Sequence, residues 1–160
     1  GAHPMVSTVL LGGEQQHDSR VLVGPMVELC ARQFIVDRLF IGTDGFTPSL
    51  GFTARDYMRA TAVRALASRA ERVVVLTESE KLGSHGPVPL LDAHDVAALW
   101  TDSAAPDAQV DALTGAGVEV VTVAADGTAV AHPAQARPEP DRVVGGDSDP
   151  TALTTREEPS

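Results

Sequence analysis

The chain has 160 residues, of which 43% are hydrophobic, 21% charged and 4% aromatic, and it carries a formal net charge of −10 with one cysteine. That length suits one domain of ordinary size, and no apolar run approaches the roughly 18 residues that would mark a membrane span. With 22 acidic residues against eleven arginines and one lysine, the chain repels nucleic-acid phosphates on average, and Gly1-Ala2-His3-Pro4-Met5 has no secretion pattern, so a cytoplasmic address is expected.

Val6-Ser7-Thr8-Val9-Leu10-Leu11 is a short β-branched and apolar run stopped by Gly12-Gly13, which predicts a buried strand. A helix is predicted over 25–33; Cys30 lies within it among Met26, Val27, Leu29 and Ala31 and reads as a small buried hydrophobe. Leu39-Phe40-Ile41 predicts a second strand, ending in Gly42-Thr43-Asp44-Gly45. The longest helix is expected over 54–70, with Thr53 as its N-cap and Asp56 complementing the positive end of the macrodipole. Met58, Ala62, Ala65, Leu66 and Ala70 form its apolar stripe, with Arg55 and Arg59 one turn apart on another side. Strands over 72–77, 96–101 and 118–123 follow, with a helix over 107–113 stopped by Gly115-Ala116-Gly117. The alternation predicts an α/β fold: a mostly parallel, Rossmann-like sheet with flanking helices and right-handed crossovers. Residues 126–160 hold five of the eleven prolines, seven acidic residues, three arginines and no aromatic one. Such a stretch buries too little apolar surface to offset its ordering entropy, so the expected division is a folded domain over 1–125 and a disordered, acidic, Pro-rich tail over 126–160.

Ligands of open parallel sheets bind at the carboxyl ends of the strands, and four polar or glycine-rich groups fall there. They are Gly12-Gly13-Glu14, Gly42-Thr43-Asp44-Gly45, Thr77-Glu78-Ser79-Glu80-Lys81 and Thr101-Asp102. Glycines let backbone amides approach an anion such as phosphate, and Arg55, Arg59 and Lys81 would add full positive charge. Lys81, the only lysine, suits a phosphate or hydroxyl-rich ligand, or simply pairs with Glu78 or Glu80. Asp44 is either a ligand group or a turn residue holding its own backbone amides. The five histidines show no pair at metal-ligand spacing, and no P-loop, dinucleotide fingerprint or Ser-His-Asp order is present, so no metal or cofactor is expected.

Several strings together are more specific than any spacing. Phe40-Ile41-Gly42-Thr43-Asp44-Gly45-Phe46, Gly51-Phe52-Thr53-Ala54-Arg55-Asp56-Tyr57-Met58-Arg59, Val74-Val75-Leu76-Thr77-Glu78-Ser79-Glu80-Lys81-Leu82-Gly83 and Trp100-Thr101-Asp102 run in order along the chain. They resemble the C-terminal effector-sensing domain of DeoR-type transcriptional regulators, from about Val6 to Val123. The resemblance implies a fold shared with ribose-5-phosphate isomerase, whose strand-end motif looks like Glu78-Ser79-Glu80-Lys81-Leu82. It implies a sugar-phosphate effector in a crevice lined by Gly12, Gly13, Gly42, Thr43, Asp44, Gly45, Arg55, Arg59 and Lys81. It also implies a homo-oligomer, a role in repressing carbohydrate metabolism, no catalysis, and DNA contact only through a helix-turn-helix domain that these residues do not contain.

Two departures stand out. The strand ending in a Gly-Thr-Thr loop that usually opens the sensor domain has no counterpart, so the domain is expected to lack its first strand. Glu80 adds a second carboxylate where the family usually has serine. Losing that strand would expose a sheet edge and apolar surface, which predicts marginal stability or pairing with another chain. The alternative readings are a sugar-phosphate isomerase-like enzyme with Asp44 as acid–base group and Lys81 as electrostatic stabiliser, or a ligand-free interaction module that pairs with an intact paralogue.

Overall fold

A computed structural model describes residues 5–136. In chain order it has β1 (Glu14–Gln15), β2 (Leu22–Val23), α1 (Pro25–Ala31), β3 (Val36–Ile41), β4 (Gly45–Thr47), β5 (Gly51–Ala54) and α2 (Tyr57–Ala67). Then follow β6 (Ala70–Leu76), β7 (Val88–Leu91), β8 (Ala98–Asp102), α3 (Asp107–Gly115), β9 (Glu119–Val123) and β10 (Ala129–His132). The main sheet has the order β10-β9-β8-β6-β3, in which β3, β6, β8 and β9 are parallel and β10 closes one edge antiparallel to β9. The α/β class and the mostly parallel sheet expected from the sequence are both present.

Val73, Val75, Leu99 and Val120 point to one face of this sheet and are buried with Ile41. Onto that face pack Ala60, Val63 and Ala67 of α2 and Val110 and Leu113 of α3. A second sheet, β4-β5-β7, folds over the same core: the Phe46 and Phe52 rings meet at 4.8 Å with the planes tilted by 41°. β5 is buried at all four positions, and its Thr53 hydroxyl donates to the Gly45 carbonyl and accepts from the Gly86 amide. Gly45 is required here by space, because a Cβ would lie 2.5 Å from the Ser84 carbonyl oxygen.

Several local expectations are corrected. Thr53 and Ala54 belong to β5, not to a helix; α2 is capped by Asp56, whose carboxylate accepts the Arg59 backbone N–H at 2.8 Å. The α2 residues that join the main core are accordingly Ala60, Val63 and Ala67; of the expected stripe Ala62 is buried and Met58 is exposed. Residues 6–11 form no strand: the segment is extended and largely exposed, with Ser7, Val9 and Leu11 turned towards Ala31, Phe34, Val36 and Leu66. Alternation alone orients side chains in this way, but a strand also needs a hydrogen-bonding neighbour, and none pairs with it among the described residues. Cys30 is only half-buried, against Gly12. The expected tail boundary also moves, since β10 pairs with β9 through the turn in which the Gly127 N–H donates to the Ala124 carbonyl. Residues 137–160 of the expected tail lie outside the described residues.

Phe52 is fully buried at the junction of the two sheets. Phe52→Ala should lower the unfolding free energy by about 3–5 kcal/mol, the usual cost of a large core truncation, as read from denaturant melts of the two proteins.

Candidate functional site

Parallel pairing brings the carboxyl ends of β3, β6 and β8 to the same end of the sheet, and the polar groups predicted there do gather in part. A cleft of about 490 Å³ is lined by Gln16, His17, Asp18, Ser19, Asp44, Arg55, Asp56 and Arg59. Its walls are the turn between β1 and β2, the segment after β3, and the first turn of α2.

Two carboxylates organise it. Asp44 Oδ2 accepts the Arg55 backbone N–H at 2.9 Å and pairs with Arg59 Nη1 at 3.3 Å, with both side chains largely buried. Asp56 Oδ1 accepts the Arg59 backbone N–H at 2.8 Å and the Gln16 side-chain amide at 2.9 Å. These donors, the Arg59 amide first and Gln16 second, hold the Asp56 carboxyl below the usual carboxylate range. The Gln16 contact ties the β1–β2 turn to the helix that carries both arginines. Arg59 is therefore held on both sides, while the Arg55 guanidinium makes no ion pair or side-chain hydrogen bond among the described residues. Gly42 keeps room for Arg59, because a Cβ there would stand 3.4 Å from Nη2.

The other predicted residues are placed differently. Thr43 is buried, and its hydroxyl lies 2.8 Å from the carbonyls of both Gly45 and Thr53, so it holds the β4–β5 connection. Gly45 serves packing, as described above. Gly12 and Gly13 lie against α1 rather than in the cleft: a Cβ on Gly13, whose φ is +142°, would meet the Val27 side chain at 2.7 Å. Lys81 sits outside the cleft in a single 3-10 turn and pairs with Glu78 at 3.4 Å. Sequence reasoning missed Gln16 to Ser19 and the bridging role of Asp56; the polar run Glu14 to Arg20 between two short apolar segments was the available signal.

Asp102, at the end of β8, fastens the third loop. Its Oδ2 accepts the Ser79 N–H at 2.7 Å and its Oδ1 accepts the Ala104 N–H at 3.0 Å. The Ser79 amide is the main cause that brings its pKa down to about 2, with the Ser79 hydroxyl and the Ala104 amide adding to it. Close by in sequence, the buried hydroxyl oxygens of Thr77 and Thr101 have no hydrogen-bond partner among the described residues.

Two other features carry none of the predicted site residues. A hollow of about 530 Å³ lies between the end of α2, the start of β6 and the Leu91–Ala97 segment. Asp92, His94 and Asp95 bring one potential ligand atom each within 4.8 Å of one another, but all three are exposed.

The sequence matches the DeoR C terminal sensor domain over residues 1–103, and the chain belongs to that family. The family is one of regulator sensor domains and not of enzymes. It is 26% identical over 118 residues to a candidate aga operon transcriptional repressor of Escherichia coli O157:H7, covering 74% of this chain and 44% of that protein. It is 28% identical over 112 residues to the HTH-type transcriptional regulator GlpR of Haloferax volcanii, covering 70% and 44%. To the HTH-type transcriptional repressor GlcR of Bacillus subtilis it is 27% identical over 121 residues, covering 76% and 46%. The chain thus spans less than half the length of these curated relatives. Among the described residues no helix is long and apolar enough to cross a membrane.

Asp102→Asn tests the strand-end clamp. A carboxyl whose pKa is lower in the folded than in the unfolded chain stabilises above its unfolded value, near 3.9, and that contribution is lost as pH falls towards 2. The wild type should therefore melt higher than the variant from pH 7 down to about pH 5, and the gap should close by about pH 2 in thermal melts.

Proposed function

We propose that this chain is the effector-sensing and oligomerisation part of a DeoR-type repressor of carbohydrate metabolism, and that a sugar phosphate binds at the carboxyl ends of its parallel strands. The observation that carries the reading is the cleft at the head of α2. There, two guanidiniums stand beside two carboxylates that are already fixed by hydrogen bonds. Arg55 offers an unpaired cation to a phosphate, and Arg59 can exchange its single 3.3 Å contact with Asp44 for a stronger bidentate one. Asp44 and Asp56 are acceptors suited to sugar hydroxyls. The unpartnered hydroxyls of Thr77 and Thr101 at neighbouring strand ends favour a polar ligand at this end of the sheet. Family membership and the identity of the relatives as transcriptional regulators support the regulatory role.

The protein acts in the cytoplasm as a homo-oligomer, and it reaches DNA only through a helix-turn-helix domain outside these residues. Effector binding changes operator affinity by favouring one of two subunit arrangements, which requires tighter binding to that arrangement. The isomerase reading lacks support in the geometry, since Asp44 is engaged by Arg55 and Arg59 and Lys81 lies outside the cleft.

Thermal melts against a panel of sugar phosphates, with inorganic phosphate and the free sugars as controls, test the site. A ligand at 100 times its Kd stabilises the native state by about 2.7 kcal/mol, so a matching sugar phosphate should raise Tm by several degrees. Arg55→Ala should abolish the rise while leaving the unliganded Tm within about a degree, because that side chain is exposed and makes no ion pair or side-chain hydrogen bond among the described residues. No shift with any member of the panel, or an equal shift in Arg55→Ala, would overturn the assignment.

A further inference from the structure

The cleft at the head of α2 sets three carboxylates, Asp18, Asp44 and Asp56, against two guanidiniums, Arg55 and Arg59. Asp44 and Arg59 neutralise one another through their 3.3 Å pair. That leaves Arg55 as the one cation of the lining without an ion pair among the described residues, facing two carboxylates in the same condition. Asp18 is exposed in the middle of the β1–β2 turn, and its side chain makes no ion pair or hydrogen bond among the described residues. Asp56 is half-buried, and its charge is met chiefly by neutral donors. The Arg59 backbone N–H first and the Gln16 amide second hold its carboxyl below the usual range, and the charge of Arg59 adds least. The Gln16 bond also pins the turn against the helix, so that Asp18, two residues further on, is kept at the same cleft.

A plain sugar phosphate brings about two negative charges into this surplus of carboxylates, and the repulsion offsets part of what Arg55 contributes. A ligand that carries a cation as well removes the mismatch. We propose that the effector is an amino-sugar phosphate, with its phosphate on Arg55 and its ammonium group received by Asp18 and Asp56. This rests on the preceding reading of the cleft as a sugar-phosphate site and narrows the ligand class. An ammonium in place of one hydroxyl has three donors and no acceptor, so it suits two acceptor-only carboxylates and cannot pair with an arginine. The two ends of the ligand are thereby sorted: the carboxylates repel the phosphate and Arg55 repels the ammonium. Bonds from an ammonium to an ionised carboxylate are also stronger than those from a neutral hydroxyl. Asp56 is already ionised and oriented by the Arg59 and Gln16 donors, so little ordering is lost when the ammonium arrives. The cleft volume of about 490 Å³ is that of a small-molecule site.

Calorimetric titration of the 160-residue chain with glucosamine 6-phosphate and galactosamine 6-phosphate tests this, with glucose 6-phosphate, galactose 6-phosphate and N-acetylglucosamine 6-phosphate as the uncharged-substituent comparisons. At least one amino form should bind about tenfold tighter than its parent, the scale of one hydrogen bond to a charged group. The N-acetyl form, which keeps the nitrogen but not its charge, should lose that advantage. Asp18→Asn and Asp56→Asn each exchange a carboxylate for a neutral amide, and asparagine is itself a good N-cap, so α2 keeps its start. Each should reduce the preference to about threefold or less, by weakening the amino form and by tightening the parent, whose phosphate then meets less repulsion. Parents that bind as tightly as the amino forms would overturn the proposal and leave the sugar-phosphate reading standing. A preference unchanged in both folded variants would overturn it too. If circular dichroism shows that Asp56→Asn does not fold, Asp18→Asn decides alone, and an unchanged preference there counts against the proposal. Absence of binding by either amino form also overturns it: where another sugar phosphate of the wider panel binds, the reading beneath it stands, and where none does, both fall.

Discussion

Strands β3, β6, β8 and β9 are parallel, and each is added on the same side of the one before it. A parallel neighbour can be reached only by a crossover, and crossovers of one hand that keep stepping in one direction all fall on one face of the sheet. The main features of the molecule follow from that constraint. α2, α3 and the β4-β5-β7 sheet share a single core with Ile41, Val73, Val75, Leu99 and Val120. The opposite face receives none of these connections and keeps Phe40, Leu76 and Trp100 accessible. All the strand-to-loop exits open at one end, which is why Asp44, Arg59 and Asp102 belong to the same end of the sheet although their sequence numbers span more than fifty positions.

At that end, carboxylates do most of the structural holding. Asp44, Asp56 and Asp102 each accept at least two donors, and in every case at least one is a backbone N–H. An ionised acceptor makes stronger hydrogen bonds than a neutral one, so these aspartates fix loops that the small sheet would otherwise leave free. The same bonds hold the Arg59 guanidinium and the Arg55 backbone at the head of α2, which under the proposed function lowers the ordering cost of binding an anion. The acidic balance of the chain is therefore partly structural: some of its negative charge is the means by which Arg59 is positioned.

How much was legible in the sequence depends on the range of the interaction that decides each feature. The valine run in β6, the alternation of strand and helix, and Gly42 to Gly45 as a strand exit are local signals, and they stand in the structure. The start of α2 was misplaced because Thr53 and Asp56 are both good caps, and only the pairing of Thr53 and its neighbours with β4 and β7 removes the first from the helix. The strand over 6–11 fails for the converse reason, since its pattern is adequate but no neighbour pairs with it. Of the residues that line the cleft, Asp44, Arg55 and Arg59 are legible in the sequence because they lie near a strand end and a helix start. Gln16 is not, because its partner Asp56 is forty residues away.

By itself, the sequence determined the fold class, the family and the end of the sheet at which polar chemistry gathers, because these rest on hydrophobic period, turn residues and contiguous motifs. Only the tertiary structure decided which of the predicted residues meet. It set Gly12 and Gly13 against α1, gave Thr43 and Gly45 to packing, and left Lys81 with Glu78. Those outcomes depend on contacts between segments far apart in the chain, and a local pattern carries no information about them until the sheet has fixed the register.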